Sequence, residues 1–179
     1  MKKVKVLLYC TKAKPFLLEV EYDNQVLYAI TQLGNADNLR INHKKVLNGK
    51  IVAECEVETE EIKLSAYSDY EDKIYLFDTP TLTNDELTEK SWLCNDELDN
   101  YLINEKGYAL HISNLKIFDK PKELHEYNII KAPQNMMRVF DANGNKYILI
   151  SVRSEWLCKI LNGEKTIEVR KKVLKEMLE

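Results

Sequence analysis

Apolar and polar residues alternate with a period of two along much of this chain, which is the pattern of a half-buried β-strand. In the segment KIVAECEVE, one side of the predicted strand is formed by Val52, Glu54, Glu56 and Glu58 and the other by Ile51, Ala53, Cys55 and Val57. Apolar runs predict three more strands, VKVLLYC near the N-terminus, YALHISNLKIF (residues 108–118) and KYILISV (residues 146–152). We therefore expect an α+β fold that is rich in β-structure.

The segment from Met136 to Val152 has the pattern of a β-hairpin. Two apolar runs, MMRVF and KYILISV, flank the polar stretch DANGNK. Asn143 and Gly144 can adopt the positive φ angles that a tight hairpin turn requires. The alternative is a flexible linker between two separate units.

A few short helices complete the prediction. The segment SEWLCKILNG has apolar residues at helical spacing, Ser154 as its N-cap and Gly163 as the residue that ends it. The segment NDELDNYLI predicts a second helix with Asn95 as its cap. Residues 19–45 and 63–90 have weak periodicity and many polar residues, so we interpret them as insertions or long loops.

Length and charge limit what the chain can be. Of the 179 residues, 45% are hydrophobic, which suits one compact core and predicts a single domain over residues 1–179. Lys and Arg number 26 against 29 Asp and Glu, for a net charge of -3. The whole molecule is therefore not attracted to polyanions, and nucleic-acid binding would need a local basic patch. The segments MKKVK, CTKAKP and VRKKVLKE near the two ends are basic.

The sequence indicates a cytoplasmic protein without a membrane partner. No run reaches the roughly 18 apolar residues that a membrane-spanning helix needs, and no signal-peptide cleavage site follows Met1. The sequence contains no Walker loop, no dinucleotide fingerprint and no G-x-S-x-G motif. We expect no cofactor.

Neither the cysteines nor the histidines have metal-ligand spacing. The cysteines lie far apart without a C-x-x-C pair, at Cys10, Cys55, Cys94 and Cys158, which predicts free and mostly buried thiols. An exposed Cys10 would have its pKa lowered by Lys12 and Lys14. His111 lies in a predicted strand and is expected to be a hydrogen-bonded structural residue. We expect no metal site.

A family resemblance appears in the segment SVRSEWLCKILNGEKTIEVRK, which starts at Ser151. It resembles the opening motif of ASCH-domain proteins, small β-barrels similar to the PUA domains that bind RNA. In that family a strand, a tight turn and a short helix precede the signature Gly-x-Lys-x-x-Glu-x-Arg, which is represented here by Gly163, Lys165, Glu168 and Arg170. Ser154 replaces the usual proline of the turn.

The rest of the chain resembles what normally follows this motif, so the order of segments is that of a circularly permuted ASCH domain. The resemblance implies a PUA-like barrel whose opening segment is residues 146–179, whose other strands lie in residues 1–140, and whose joining turn is residues 141–145. Neighbouring surface termini make such a permutation tolerable. The alternatives are a tandem pair with a truncated second copy and a swapped homodimer in which residues 151–179 complete a neighbouring barrel.

The signature also defines the candidate site. In EKTIEVR, strand alternation places Thr166, Glu168 and Arg170 on one side, with the apolar Ile167 and Val169 on the other. Lys165 reaches the same cleft from the preceding turn. The cations suit a phosphate, and the carboxylate can accept a hydrogen bond from an amine or a sugar hydroxyl.

Other residues extend or compete with this interpretation. Cationic side chains that can lengthen the basic patch are Lys12, Arg153, Lys171 and Lys172. Trp156 can stack on a base, although its position favours a role in the core. A purely structural salt bridge among Lys165, Glu168 and Arg170 is the alternative to a binding site.

The resemblance implies two possible activities, and binding of RNA or of a modified nucleotide is favoured. Some ASCH relatives are amidohydrolases that remove acyl groups from modified cytidine, with a signature resembling Gly-x-Lys-Thr-x-Thr-x-Arg. Glu168 stands at the position of their threonine nucleophile, so a hydrolase would need a water activated by Glu168, with Lys165 stabilising the oxyanion. A third hypothesis is a protein-interaction adaptor, in a phage or mobile-element setting, that meets its partner through the acidic insertions.

Overall fold

The computed structural model of the protein describes residues 1–31, 43–66, 75–102 and 106–179. This part of the chain is α+β structure rich in strands, which confirms the expected class. The strands are β1 (Lys3–Cys10), β2 (Phe16–Tyr22), β3 (Gln25–Thr31), β4 (His43–Val46), β5 (Ile51–Ala66), β6 (Leu76–Asp78), β7 (Gly107–Lys122), β8 (Met136–Phe140), β9 (Lys146–Val152) and β10 (Ile167–Arg170). The helices are α1 (Asn84–Ser91), α2 (Asn95–Leu102) and α3 (Ser154–Leu161), with short 3-10 turns at Leu124–Tyr127 and Lys175–Met177.

Contacts divide the chain into two compact units that are each built from separated segments. The first unit comprises Met1–Val4, Val57–Ser113 and Lys165–Glu179, and the second comprises Lys5–Glu56 and Asn114–Glu164. Strands β5 and β7, each 16 residues long, contribute to both units. The prediction of one domain over residues 1–179 stays a prediction.

The first unit is a small sheet covered by two helices. Strand β10 pairs antiparallel with β7, β7 neighbours β5, and β6 pairs with β5. The apolar side chains of β10 are buried in a core together with side chains from the sheet and both helices, namely Ile62, Phe77, Leu82, Leu87, Leu98, Leu102, Ala109, Ile167 and Val169. Helix α1 packs on β10 and β6. Hydrophobic burial therefore fixes β10 beneath α1, which decides where the signature residues lie.

The second unit contains two sheets. Strand β9 lies between β1, to which it is parallel, and β8, to which it is antiparallel. A separate antiparallel sheet has the order β3-β2-β4, and α3 contacts its strands β2 and β3. The side chain of Asn162 completes the contact, since its Oδ1 accepts the Tyr28 backbone N–H at 3.0 Å and its Nδ2 donates to the Tyr28 carbonyl at 2.8 Å.

The predicted hairpin of residues 136–152 is confirmed, with a five-residue connection between its strands. Asp141 Oδ1 accepts the backbone N–H groups of Asn143 and Asn145, each at 2.9 Å. Gly144 adopts φ 82°, the left-handed conformation that favours glycine. The hairpin therefore depends on the aspartate side chain as well as on the glycine.

Three details of the predicted elements are wrong. Arg153 and not Ser154 occupies the N-cap of α3, because the Ser154 hydroxyl instead donates to the Pro15 carbonyl. Helix α2 is capped one residue before Asn95, where the Cys94 N–H donates to Glu97 at 2.8 Å and the Cys94 carbonyl accepts from Leu98. Val52 is buried although it lies on the side predicted to be polar.

The two predicted insertions also contain regular structure. Residues 19–31 form most of the β2–β3 hairpin, and residues 76–91 contain β6 and α1. Residues 32–42 and 67–74 lie outside the described residues. The β2–β3 hairpin and β6 satisfy backbone groups by strand pairing, and α1 begins with a capping box. These segments are therefore regular structure and not loops.

The pairing among the described residues gives mixed sheets. It does not establish a closed PUA-like barrel, which stays a prediction, as does the circular permutation.

Candidate functional site

Lys165 is anchored at the C-terminus of α1. Its Nζ donates a hydrogen bond to the Ser91 carbonyl at 2.6 Å, and the neighbouring Thr166 N–H donates to the Lys90 carbonyl at 3.0 Å. The last carbonyls of a helix have no partner within the helix and carry partial negative charge, so a lysine there is stabilised. The segment that precedes β10 is thus fixed by the end of a helix that the sequence did not predict.

Glu168 joins the two cations of the signature. Its Oε2 lies 3.4 Å from Lys165 Nζ, and its Oε1 lies 3.0 Å from Arg170 Nη2. The side chains of Lys165, Glu168 and Arg170 are only 1%, 11% and 13% exposed. The structure therefore brings the three charged signature residues into direct contact, in a nearly water-free setting. We call these three residues the charged trio.

The alternation predicted for this segment is confirmed for residues 167–170, which form β10, whereas Thr166 precedes the strand. Ile167 and Val169 are buried in the core of the first unit, and Thr166 is exposed. Glu168 stands opposite Leu110 and Arg170 opposite Tyr108 on β7. Opposite residues of an antiparallel pair share one face, so the polar side chains lie on the face away from the apolar pair.

Burial dominates the electrostatics of Lys165. Desolvation lowers the pKa of Lys165 below its ordinary value, and it outweighs the support from the Glu168 carboxylate, while nearby Arg170 lowers the pKa further. The charged trio carries two cations and one carboxylate. One positive charge is therefore left over, and the geometry places it closer to the surface at Arg170 than at Lys165.

The predicted cleft along the charged trio stays a prediction. Two grooves of the first unit, of about 580 Å³ and 310 Å³, are lined by other residues. Lys165 is too deeply buried for a ligand to touch it without rearrangement. A structural salt bridge accounts for the contacts of Lys165 and Glu168, and contact of Arg170 with a ligand stays a prediction.

The basic strand end continues past Arg170. Lys171 Nζ lies 5.1 Å from the centre of the Tyr101 ring, a cation–π contact with a side chain from the end of α2. Tyr101 is 39% exposed and Lys172 is exposed. One cation of this run, Lys171, thus lies beside an accessible aromatic ring. Tyr101 is a residue that the sequence placed on a helix but did not assign to the site.

Lys12 and Arg153 belong to the second unit and form a group of their own. Arg153 directly follows β9 and Lys12 lies two residues beyond the end of β1, where Cys10 pairs with Val152. Both are exposed. Asn48 holds the loop that contains Lys12, because its Nδ2 lies within 3.2 Å of the carbonyls of Thr11, Ala13 and Pro15. Their role in ligand binding stays a prediction.

Trp156, the predicted alternative stacking residue, is half-buried on α3 of the second unit.

A second polar cluster lies on the core side of the first unit. Glu60 is 5% exposed, and its Oε2 lies 2.7 Å from His111 Nε2, Thr79 Oγ1 and Thr81 Oγ1. Burial raises the pKa of Glu60, but these hydrogen bonds outweigh burial and hold the pKa below its ordinary value. The expectation that His111 is a hydrogen-bonded structural residue is confirmed.

Two of the four cysteines are buried thiols. Cys10 and Cys55 are buried, and burial raises the pKa of each thiol to about 12. The expectation of a lowered pKa applied to an exposed Cys10, and this condition is not met because the thiol is buried. Cys94 is exposed.

Comparison of the chain with protein-family models, with curated proteins and with solved structures gave no match. The ASCH resemblance accordingly rests on the signature residues themselves. Within the described ranges, no group of three or more His, Cys, Asp or Glu side chains is arranged to hold a metal ion. No described helix is both long enough and apolar enough to cross a membrane.

Proposed function

We propose that the protein binds RNA or a modified nucleotide at the end of β10, with Arg170 as the central phosphate contact. The observation that carries this proposal is the contact between Glu168 and Arg170 at 3.0 Å. It holds the guanidinium in place at the surface end of the charged trio. A pre-oriented guanidinium loses less side-chain entropy when it binds phosphate, and it can bind two phosphate oxygens at once.

The neighbouring residues supply the other parts of a nucleotide site. Lys171 and Lys172 continue the positive charge along the chain, which suits a phosphate backbone. Tyr101 is exposed enough to offer an aromatic surface for a base. Every base has a flat face that can stack on such a ring, so the contact requires no particular base. Lys165 supports the site from below by supplying the second positive charge held by Glu168.

The family and fold form part of the proposal. The charged trio matches the ASCH signature at three of its four positions, and Gly163 supplies the fourth. We therefore propose a permuted ASCH domain with a PUA-like barrel, which acts in the cytoplasm. A swapped homodimer, in which residues 151–179 complete a neighbouring barrel, is the alternative to closure within one chain, and a phage or mobile-element setting belongs to the adaptor hypothesis.

The test is fluorescence anisotropy with a labelled 12-nucleotide single-stranded RNA at two salt concentrations. Lys171→Gln is expected to weaken binding and to reduce the slope of log K against log salt by roughly 0.7, the value for one phosphate contact on a single strand. Arg170→Gln should weaken binding further. Lys175→Gln is the matched control, because Lys175 is a fully solvated lysine that pairs only with Glu179 among the described residues. Absence of binding, or equal affinities for the three variants and the wild type, would overturn the proposal.

The second candidate function is an amidohydrolase acting on acylated cytidine. The observation in its favour is the contact between Lys165 and Glu168 at 3.4 Å, because these are the residues that would stabilise the oxyanion and activate the water. Both oxygens of Glu168 are, however, engaged by cations, so Glu168 is poorly placed to activate a water. Mass spectrometry after incubation with N4-acetylcytidine checks this candidate. The hydrolase hypothesis requires that the wild type releases acetate and that Lys165→Met does not.

A further inference from the structure

The buried carboxylate of Glu60 holds the turn that leads into α1. Its Oε2 accepts hydrogen bonds from the hydroxyl groups of Thr79 and Thr81, each at 2.7 Å. Thr79 Oγ1 in turn accepts the Leu82 N–H at 3.0 Å, and the Thr79 N–H donates to the Leu82 carbonyl at 3.0 Å. Helix α1 begins at Asn84, two residues further along the chain. The turn of residues 79–82 is therefore closed by its own hydrogen bonds and tied to β5 by one carboxylate.

The same carboxylate contacts β7, the strand that pairs with β10. His111 Nε2 lies 2.7 Å from Glu60 Oε2, and His111 stands opposite Ile167 of β10. Hydrogen bonds to an ionised acceptor are roughly twice as strong as those between neutral groups. Glu60 therefore links the neighbour of β10 to the turn that precedes α1.

The other end of α1 holds the charged trio. The Ser91 carbonyl, at the last residue of α1, accepts a hydrogen bond from Lys165 Nζ at 2.6 Å. Lys165 lies 3.4 Å from Glu168, which lies 3.0 Å from Arg170. Hydrogen-bond networks and rigid secondary elements are what carry coupling between separated residues. The contacts thus form a continuous connection from Glu60, through α1, to the guanidinium of Arg170.

We propose that Glu60 is a positioning residue for the nucleotide site, which sets the place of Lys165 through α1 and thereby the orientation of Arg170. Glu60 is 5% exposed, so it acts without touching the ligand. A guanidinium that is already oriented loses less entropy when it binds phosphate, so loss of Glu60 weakens binding without removing a phosphate contact. The inference rests on the proposed function, because its consequence for binding requires that Arg170 contacts phosphate.

The first experiment measures the connection without RNA, by hydrogen exchange of the full chain followed by NMR. The Thr166 N–H donates to the Lys90 carbonyl near the end of α1, so its exchange rate reports whether α1 still holds the segment before β10. In Glu60→Gln we expect this amide to exchange about tenfold faster than the loss of global stability alone would cause, because the glutamine amide has one accepting oxygen and no charge. Exchange that follows global stability, measured by urea unfolding, would overturn the proposal.

The matched control is the neighbouring residue on the same strand. Glu61→Gln also removes a carboxylate from β5, but the partner of Glu61 is Lys106, which is 77% exposed. We expect no excess exchange of the Thr166 amide in this variant. An excess as large as that in Glu60→Gln would show that any lost charge on β5 has this effect, and would refute the specific role of Glu60.

The second experiment is a double-mutant cycle with the labelled RNA. Glu60→Gln is expected to weaken RNA binding about fivefold, the lower end of couplings between separate sites, and to have no further effect in an Arg170→Gln background. A residue that acts on stability alone would weaken binding by the same factor in both backgrounds. Equal factors would therefore refute the action of Glu60 through Arg170.

A milder variant covers the case in which Glu60→Gln fails to fold. Thr81 is exposed, and Thr81→Val removes one hydroxyl from Glu60 Oε2. It should raise the excess exchange of the Thr166 amide in the same direction and to a smaller extent, and an unchanged rate would contradict the role of the turn. Absence of RNA binding by the wild type would refute the proposed function, whereas the exchange measurements decide the positioning role of Glu60, so the two failures are distinguishable.

Discussion

Replacing Glu168 with glutamine tests whether the charged trio is a buried electrostatic unit. At an effective dielectric constant of about 20, each of the two contacts of Glu168 has a Coulomb energy of about 5 kcal/mol. The contacts are 3.4 Å to Lys165 and 3.0 Å to Arg170. The desolvation of the carboxylate, which the variant avoids, offsets more than half of this gain. We expect a net destabilisation of about 3 kcal/mol, because two cations are left without their common partner.

The pH dependence of Glu168→Gln gives an independent check. The folded-state pKa of Lys165 lies below the ordinary value of 10.5, so between these two values the unfolded chain binds more protons and stability rises with pH. Without the Glu168 carboxylate, the charged form of Lys165 is stabilised less, so the folded-state pKa of Lys165 falls further. The deficit of the variant should therefore shrink as the pH rises from the variant's folded-state pKa of Lys165 to that of the wild type.

Urea unfolding followed by circular dichroism measures both effects. A loss of about 3 kcal/mol lowers the midpoint by about 1.5 M when m is about 2 kcal/mol/M. The matched control is Glu61→Gln, whose partner Lys106 lies at 3.5 Å but is 77% exposed, and for which we expect a loss under about 1 kcal/mol. If Glu168→Gln cost no more than Glu61→Gln, water would be screening the charged trio and the electrostatic reasoning would be wrong.

Two further predictions concern the buried polar groups. The stability contributed by Glu60 is fully present above its unfolded pKa of about 4.5 and is lost as the pH falls through its lower folded value. Glu60→Gln should therefore flatten the dependence of the urea midpoint on pH between 3 and 5. A curve parallel to that of the wild type would contradict this. Iodoacetamide at pH 8 should modify Cys94 first, and Cys10 and Cys55 only after unfolding, because burial raises the pKa of those two thiols to about 12. Mass spectrometry identifies the modified cysteines, and rapid modification of Cys10 in the folded protein would refute its burial.

Local patterns were sufficient for much of the fold. The strands β1, β5, β7 and β9, the hairpin to β8 and the helix α3 all follow from runs or alternation within one segment. The same alternation placed Glu168 and Arg170 on one face of β10. Each of these predictions needs only the neighbours along the chain, since side-chain periodicity is a local property.

The β2–β3 hairpin was missed although it has a local signal. Its two-residue turn is Asp23-Asn24, with φ 51° and φ 61°, and the flanking Tyr22 and Gln25 are paired. Positive φ at both positions is what the two-residue turn of this type requires, and Asp and Asn tolerate it. Helix α1 likewise begins with the capping box of Thr83 and Glu86. Both signals were outweighed by the weak hydrophobic periodicity of these stretches.

The partners of the site residues could not be predicted from the sequence. Ser91 lies 74 residues from Lys165, which it binds. Glu60 lies 51 residues from His111. No spacing rule connects residues so far apart, because their contact depends on how the strands and helices pack in three dimensions.

Variants of the charged trio affect folding and binding together, whereas a variant of Lys171 can test binding alone. Glu168 contacts both the buried Lys165 and the slightly exposed Arg170. Loss of the Glu168 carboxylate therefore changes the stability of the fold and the orientation of Arg170 together. A binding defect in Glu168→Gln would therefore say little about the ligand. Lys171 contacts Tyr101 on the surface and is not part of the charged trio, so its neutralisation leaves the buried charges intact. Salt-dependent binding that weakens in Lys171→Gln at unchanged stability is therefore the result that distinguishes a nucleotide site from a structural salt bridge.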